Sequence, residues 1–396
     1  MNLLFLSTAF PRPGDPGRAP YNLRLCEALA EEHDVTVISP VPWTNGNPAR
    51  RPFAALPRVH YPRFVYPPGV LRSTHAWWLW QSIRGAVRAA TRAGTPDAVI
   101  SYWTWPDGAA AARVAQSCGV PAVMIVGGSD VLVLSARAGH RRRVARTLAR
   151  ASAVVVLSEQ LREEVSALGV PHERISLIRR GVDHHVFSPG SQSDARQRLG
   201  LPQGDAVLLW VGRLSAVKGP DLLLDALERL PSRGLPRWRC VVVGKGPLRP
   251  ALARRVRGGA LRDRVSFVGA LAPRELADWY RAADALAISS RSEGVPNVLY
   301  EAKACGTRVV AVNVGDIARF VDEDDRLVPP GDAEWLAGGI AEVMTSTRTH
   351  RARVLPTWKE SAAALVDVVD RSVLRQQSLP AAAVRPDSSR APFTPT

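Results

Sequence analysis

Cysteine, lysine and long apolar runs are scarce in this chain of 396 residues, and each scarcity excludes something. Cys26, Cys118, Cys240 and Cys305 show no paired spacing, which argues against a disulfide framework or a zinc site and suits a reducing compartment. No run approaches the roughly 18 apolar residues of a membrane-spanning helix. The opening Met1-Asn-Leu-Leu-Phe-Leu-Ser7 lacks a basic stretch and its apolar run is short, so it reads as a first strand rather than a signal peptide. Lysine occurs only at Lys218, Lys245, Lys303 and Lys359. Where it stands in a loop, a compact ammonium is wanted in preference to a guanidinium, and this singles out Lys218.

Arginine supplies nearly all of a net charge of +16. Part of that excess follows the Ala- and Arg-rich composition, and the rest favours anionic partners: phosphates, an anionic membrane face or nucleic acid. A hydrophobic content of 46% is that of a globular protein with a large core, and the length suits two domains.

Strand-like apolar runs spaced by helical patterns predict parallel, doubly wound sheets. In the first half the runs are 3–7, 35–39, 98–101, 122–126, 153–157 and 175–178, with helical patterns at 19–31, 71–92, 108–117, 136–149 and 159–168. A Pro-rich aromatic stretch fills 40–70. The rhythm restarts with strands at 207–211, 240–243, 265–268, 285–289, 309–312 and 326–328. Residues 190–204, polar with Gly and Pro, mark the boundary region. The expected division is a first Rossmann-like domain over 1–185, a second over 186–346, a terminal helix within 347–375 crossing back to the first, and a disordered tail over 376–396. Ligands of such sheets bind beyond the carboxyl ends of the strands, and two such sheets facing one another make a cleft.

The candidate functional residues fall at those strand ends. Glu293-Gly-Val-Pro-Asn-Val-Leu-Tyr-Glu301 opens a helix that Gly306 stops. Free N–H groups near Pro296, Asn297, Val298 and Leu299 favour an anion such as a diphosphate. Glu293 and Glu301, about two turns apart, can hold hydroxyls on either side of it; the competing reading is a solvated helix face. Val211-Gly212-Arg213-Leu-Ser-Ala-Val-Lys218-Gly219 places two cations after a strand, where both phosphates of a diphosphate can be met; otherwise they are a surface Arg and a helix-start Lys. Gly244-Lys245-Gly246-Pro247 lets the backbone approach a ligand closely or simply turns. Gly127-Gly128-Ser129-Asp130 sends Asp130 into the cleft from the opposite wall or caps a helix. Asp107 has the same two readings and leans to capping. In the first loop, Gly14 and Gly17 approach a phosphate or only turn the chain.

In this order, these motifs resemble the retaining family 4 glycosyltransferases, with the linker Gly181-Val182-Asp183, Phe187 and Pro189 adding to the likeness over residues 1–375 or so. The resemblance implies the GT-B architecture, an α/β fold of two facing Rossmann-like domains. It implies a nucleotide-diphosphate-sugar donor whose phosphates are neutralised by Arg213 and Lys218 and capped by the backbone at 297–299. Glu301 is then on the ribose hydroxyls, Glu293 by the donor sugar and Asp130 on the acceptor side. No cofactor or metal ion is expected. Two departures stand out: the first loop lacks a Gly-Gly pair, and Asp316, in Val314-Gly-Asp-Ile317, lies where Gly-Gly is common and so near the sugar.

The function expected is retaining transfer to a glycan or lipid-linked glycan, as in bacterial exopolysaccharide or wall-polymer assembly. Arg137, His140, Arg141, Arg142, Arg143 and Arg146, with Trp77, Trp78 and Trp80, suggest a cytoplasmic protein resting on the inner membrane face, against the alternative of a solvated basic helix. Rival readings are a sugar-nucleotide epimerase or other enzyme of the same fold, and a basic nucleic-acid-binding protein. The last lacks any basic run interleaved with aromatics, so no nucleic-acid partner is expected.

Overall fold

Parallel strands covered by helices on both faces must be apolar throughout, and Leu3, Leu4, Phe5 and Leu6 are each 2% exposed or less. The computed structural model describes residues 1–378 except 13, 14, 16, 46–52, 54, 55, 57, 68–71, 93, 133–137, 236 and 347–351. The expected tail beyond residue 378, Gly14 and Arg137 therefore lie outside the described residues. The first lobe contains β1 (Asn2–Leu6), α1 (Pro20–Ala30), β2 (Asp34–Ile38), β3 (Val41–Pro42), β4 (Val59–His60), β5 (Arg63–Phe64), α2 (His75–Thr91) and β6 (Ala98–Tyr102). It continues with α3 (Ala109–Cys118), β7 (Ala122–Ile125), α4 (Ser129–Leu132), α5 (Ala138–Leu148), β8 (Ala153–Val156), α6 (Glu159–Ala167) and β9 (Ile175–Leu177). The second lobe contains α7 (Gln192–Arg198), β10 (Ala206–Val211), α8 (Pro220–Leu227), β11 (Trp238–Val243), α9 (Arg249–Gly258), β12 (Val265–Gly269) and α10 (Pro273–Ala282). Then come β13 (Ala285–Ile288), α11 (Asn297–Cys305), β14 (Arg308–Val312), β15 (Arg326–Val328) and α12 (Ala333–Thr345); α13 (Trp358–Gln377) closes the described chain.

The first sheet runs β4-β2-β1-β6-β7-β8-β9 and the second β12-β11-β10-β13-β14-β15. In each, the strand order reverses once, between β1 and β6 and between β10 and β13, and the strands flanking both reversals are parallel. The loops leaving these four strands are thus the places where a ligand is expected. Helices cover both faces of each sheet: α8 and α12 share one apolar cluster with β10 and β11, and α10 and α11 share the other.

Two elements lie in stretches for which the sequence pattern gives none. The polar stretch 190–204 contains α7, held because Ser191 Oγ accepts from Asp194 N–H at its start and Arg196, 5% exposed, pairs with Asp284 at 2.7 Å. Arg196 Nε also donates to the carbonyl of Ala282. A buried ion pair anchors this helix, so its polarity hides it from hydrophobic periodicity. The Pro-rich stretch 40–70 supplies β4, a two-residue edge strand on β2. At the other end, α13 runs to Gln377, past the expected start of the tail.

Helix α13 packs on α1, and its Ala362, Leu365, Val368 and Val369 join the cluster of Leu3, Phe5 and Ile100. Thr357 starts it with a reciprocal cap: its hydroxyl accepts from Glu360 N–H, and the Glu360 carboxylate accepts from Thr357 N–H. The turn at Gly181 lies so close to this start that a Cβ there would stand 2.3 Å from the nitrogen of Trp358. Gly181→Ala is therefore expected to destabilise the protein by about 1–3 kcal/mol. Urea unfolding checks this; a midpoint equal to wild type would show that the contact relaxes at no cost.

Candidate active site

At the reversal of the second sheet, the loop after β10 lies against the loop after β13. Gly219 (φ +61) allows this, since a Cβ would sit 2.0 Å from the carbonyl oxygen of Ser289. Ser289 Oγ donates to the Gly219 carbonyl at 2.7 Å and accepts from Trp210 Nε1 at 3.0 Å. Lys218 Nζ then forms an ion pair with the Glu293 carboxylate, which also accepts from Ser290 Oγ at 2.7 Å. The Glu293 side chain is only 10% exposed and that of Lys218 is 32% exposed. A carboxylate so enclosed needs such a partner. Arg213, on the same loop, is exposed and has no ion-pair partner among the described residues. The structure thus brings Arg213, Lys218 and Glu293 to one sheet reversal.

Helix α11 starts in the next stretch of chain. Pro296 is its N-cap and offers no side-chain cap. The N–H groups of Asn297 and Val298 have no partner among the described residues. Leu299 differs from expectation: its N–H donates to the Pro296 carbonyl at 3.0 Å and its side chain is fully buried, so it offers nothing to a ligand. Glu301 accepts from Tyr280 Oη at 2.8 Å, and burial pushes its carboxyl up to about 7 despite that bond. It lines a solvent-open crevice of about 540 Å3 with Asn297, Tyr300, Pro273, Tyr21 and Arg24, between the lobes.

The glycine-rich turn after β11 has a structural assignment. Gly244 (φ +137) faces Gly212 so closely that a Cβ would lie 1.8 Å from the Gly212 carbonyl oxygen, and a Cβ on Gly246 would lie 2.4 Å from that of Leu214. The two loops are hydrogen-bonded, Gly212 N–H to Val243 and Leu214 N–H to Lys245. Gly244 and Gly246 therefore hold the Arg213 loop in place, and their contacts are with backbone. Gly17 is exposed, with nothing within 4 Å of a built Cβ, so the fold does not demand glycine there.

On the first lobe, Asp130 turns inward. It is fully buried, accepting from Thr104 N–H (2.8 Å), Thr104 Oγ1 (2.7 Å) and Gly128 N–H (2.9 Å). This corrects the reading that it reaches into the cleft: it clasps the loop after β6 to the loop after β7. Asp107 plays the same part at the first sheet's reversal, accepting from Thr8 N–H and Thr8 Oγ1, both at 2.9 Å, beyond β1. Its Oδ1 has no partner among the described residues, and burial pushes its carboxyl up to about 7. Asp316 is also placed differently from expectation. Its carboxylate accepts from the N–H groups of Glu159 (2.6 Å) and Gln160 (3.3 Å), at the start of α6 in the opposite lobe. The favourable charge at a helix N-terminus explains this contact.

Two residues missed by sequence reasoning stand out. Arg180, just after β9, donates through Nη1 to Asn297 Oδ1 (3.0 Å) and through Nη2 to Tyr102 Oη (2.6 Å), and lies 4.2 Å from the centre of the Tyr21 ring. Trp103 (φ +87) is held in a strained backbone conformation at the end of β6, where strain often accompanies function. The only available signal for Arg180 was its place beside Gly181.

Asp107 yields a pH prediction. Its folded pKa of about 7 lies above the ordinary 3.8, so between these values the folded chain holds a proton that the unfolded chain has lost. Stability from this group is complete below about pH 4 and is lost as pH rises to about 7. Asp107→Asn is thus expected to gain on wild type as pH rises from about 4 to about 8, by urea unfolding. A difference independent of pH would contradict the burial argument.

Comparison with known proteins agrees with this geometry. Residues 17–186 match the family model described as Glycosyltransferase Family 4, and residues 191–355 match that described as Glycosyl transferases group 1. The chain is 34% identical over 272 residues to D-inositol 3-phosphate glycosyltransferase of Xylanimonas cellulosilytica, covering 64% of this chain and 59% of that protein. It is 37% identical over 235 residues to D-inositol 3-phosphate glycosyltransferase 2 of Catenulispora acidiphila, covering 54% and 55%. The match thus spans somewhat over half the length of these curated relatives. Among solved structures, Anabaena HepE in complex with UDP-glucose matches with a TM-score of 0.70 at 21% identity, over 96% of this chain and 100% of that one. Sucrose-phosphate synthase from Thermosynechococcus elongatus matches with a TM-score of 0.73 at 22% identity, over 95% and 98%. At such identities these likenesses speak for the fold.

Proposed function

This chain belongs to the family 4 glycosyltransferases of GT-B architecture, and from that premise we propose that it transfers a sugar from a nucleotide-diphosphate donor to an acceptor hydroxyl with retained anomeric configuration. The observation that carries the reading is the grouping of Arg213, unpaired among the described residues, and Lys218 at the reversal of the second sheet, close in sequence and fold to the open N–H groups of Asn297 and Val298. Such donors stabilise a diphosphate and, above all, the charge that builds on it as it departs. HepE, in complex with UDP-glucose, has the same fold, which supports a nucleotide sugar as donor.

In the reaction, the bond from the anomeric carbon to the phosphate oxygen breaks and the electron pair leaves with the nucleoside diphosphate. Arg213, Lys218 and the start of α11 take up that charge, and no metal ion is required. The departing phosphate accepts the acceptor's hydroxyl proton, and the new bond forms on the same face. Glu293, held by Lys218 and Ser290, is committed to the ion pair and serves the sugar hydroxyls rather than acting as nucleophile. Glu301 holds the ribose hydroxyls from the crevice. Arg213→Ala is expected to slow transfer by roughly a hundredfold. A thermal-shift panel of UDP, GDP, ADP and their sugars, with and without magnesium, first identifies the donor. An unchanged rate in Arg213→Ala, or donor binding only with magnesium, would overturn the assignment.

For the acceptor, we propose a glycan or lipid-linked glycan at the inner membrane face, in bacterial polysaccharide or wall-polymer assembly. Supporting this, α5 exposes Arg142 and Arg146 while burying Val144 and Leu148, and Trp77 on α2 is 39% exposed. Both helices flank residues 104–108, and no helix among the described residues is long and apolar enough to cross a membrane. The relatives, D-inositol 3-phosphate glycosyltransferases, favour a second reading, a phosphorylated polyol acceptor. Sedimentation with anionic but not neutral liposomes is expected on the first reading; absence from both pellets supports the second.

A further inference from the structure

A guanidinium held among neutral groups is costly unless an anion completes its surroundings. Arg180 has no carboxylate within ion-pairing distance among the described residues. Its partners are an amide oxygen, a phenol hydroxyl and the face of a tyrosine ring. A guanidinium carries five N–H donors, and two of these bonds account for its polar contacts here. The amide it touches belongs to Asn297, the first residue of α11, where the N–H groups are open. Because Asn297 Oδ1 faces Arg180, its Nδ2 hydrogens remain as donors without an acceptor among the described residues.

A second observation points to a ligand beside Asn297, in the crevice that adjoins, through Tyr21, the cavity lined by Arg180 and Tyr102. Tyr300, one helical turn after Asn297, is 2% exposed, yet its hydroxyl has no hydrogen-bond partner among the described residues. It lines the interlobe crevice together with Asn297 and Glu301. A buried hydroxyl without a partner is uncommon in a finished structure, and a polar ligand removes the cost.

We propose that Arg180 is a third cation of the donor site, meeting a phosphate group of a nucleoside diphosphate from the linker side while Arg213 and Lys218 meet it from the second sheet. This deepens the proposed function and rests on it. Since Arg180 also holds Tyr102 and Tyr21 of the first lobe, the ligand's charge strengthens a contact that spans both lobes. Diphosphate binding then strengthens the bridge that Arg180 makes between the lobes, and a nucleoside monophosphate does so less.

The test measures affinities of the nucleoside diphosphate identified by the panel and of the matching monophosphate, by calorimetry, for wild type, Arg180→Gln and Arg180→Lys. Arg180→Gln is expected to weaken the diphosphate about tenfold more than the monophosphate. Arg180→Lys, which keeps the charge at a single point, is expected to lose less. A residue that merely joins the lobes would weaken both nucleotides alike. An unchanged ratio of diphosphate to monophosphate affinity, in whichever variant folds, overturns the inference. Wild type binding no nucleoside diphosphate at all would instead overturn the donor reading on which it rests.

Discussion

The ion pair between Lys218 and Glu293 joins the two loops that leave the second sheet where its strand order reverses. Around it the remaining geometry is set. Ser289 can hydrogen-bond the Gly219 carbonyl only because Gly219 lacks a Cβ, and Gly244 can seat the Arg213 loop for the same reason. Glu293, whose side chain is only 10% exposed, fixes the Lys218 ammonium at the end of its loop. Fixing charges in advance is what makes them effective when new charge forms.

The first lobe uses buried carboxylates for a comparable end. Asp107 ties the loop after β6 to Thr8, and Asp130 ties the same region to Gly128. Both are fully buried, and they fix the loops that leave β1, β6 and β7. Between the lobes, Asp316 on the start of α6 and Arg180 on Asn297 make two polar bridges of opposite charge. The cleft is thus framed by side chains whose partners belong to different strands, and displacement of one loop is felt by its neighbour.

Sequence made some of this legible and hid the rest for identifiable reasons. The alternation of apolar runs gave the α/β class and the facing sheets, because parallel strands buried on both faces leave a strong apolar record. Arg213, Lys218, Glu293 and Asn297 were legible as a group because each follows a strand and stands by a glycine or proline. The direction of a side chain was not legible. Asp130 and Asp316 read as cleft residues, yet one faces a threonine and the other a helix of the opposite lobe. Leu299 read as part of an open helix end, but its N–H closes a tight first turn. Helix α7 was missed because its anchor is the polar pair Arg196 and Asp284. Arg180 was missed because its partners, Tyr102 and Asn297, are far away in the chain and adjacent only once both sheets are folded.

Helix α13 follows the second lobe in the chain but fills the apolar face beside α1 in the first. The first lobe is therefore woven from two separated stretches of the gene product. A cut in the linker near Gly181 yields no self-sufficient half, since the leading fragment is left with a bare hydrophobic groove and the trailing one with a helix that has nowhere to dock. Ribosomal synthesis meets the same order: the leading sheet emerges early and must wait, with that groove uncovered, until α13 leaves the tunnel.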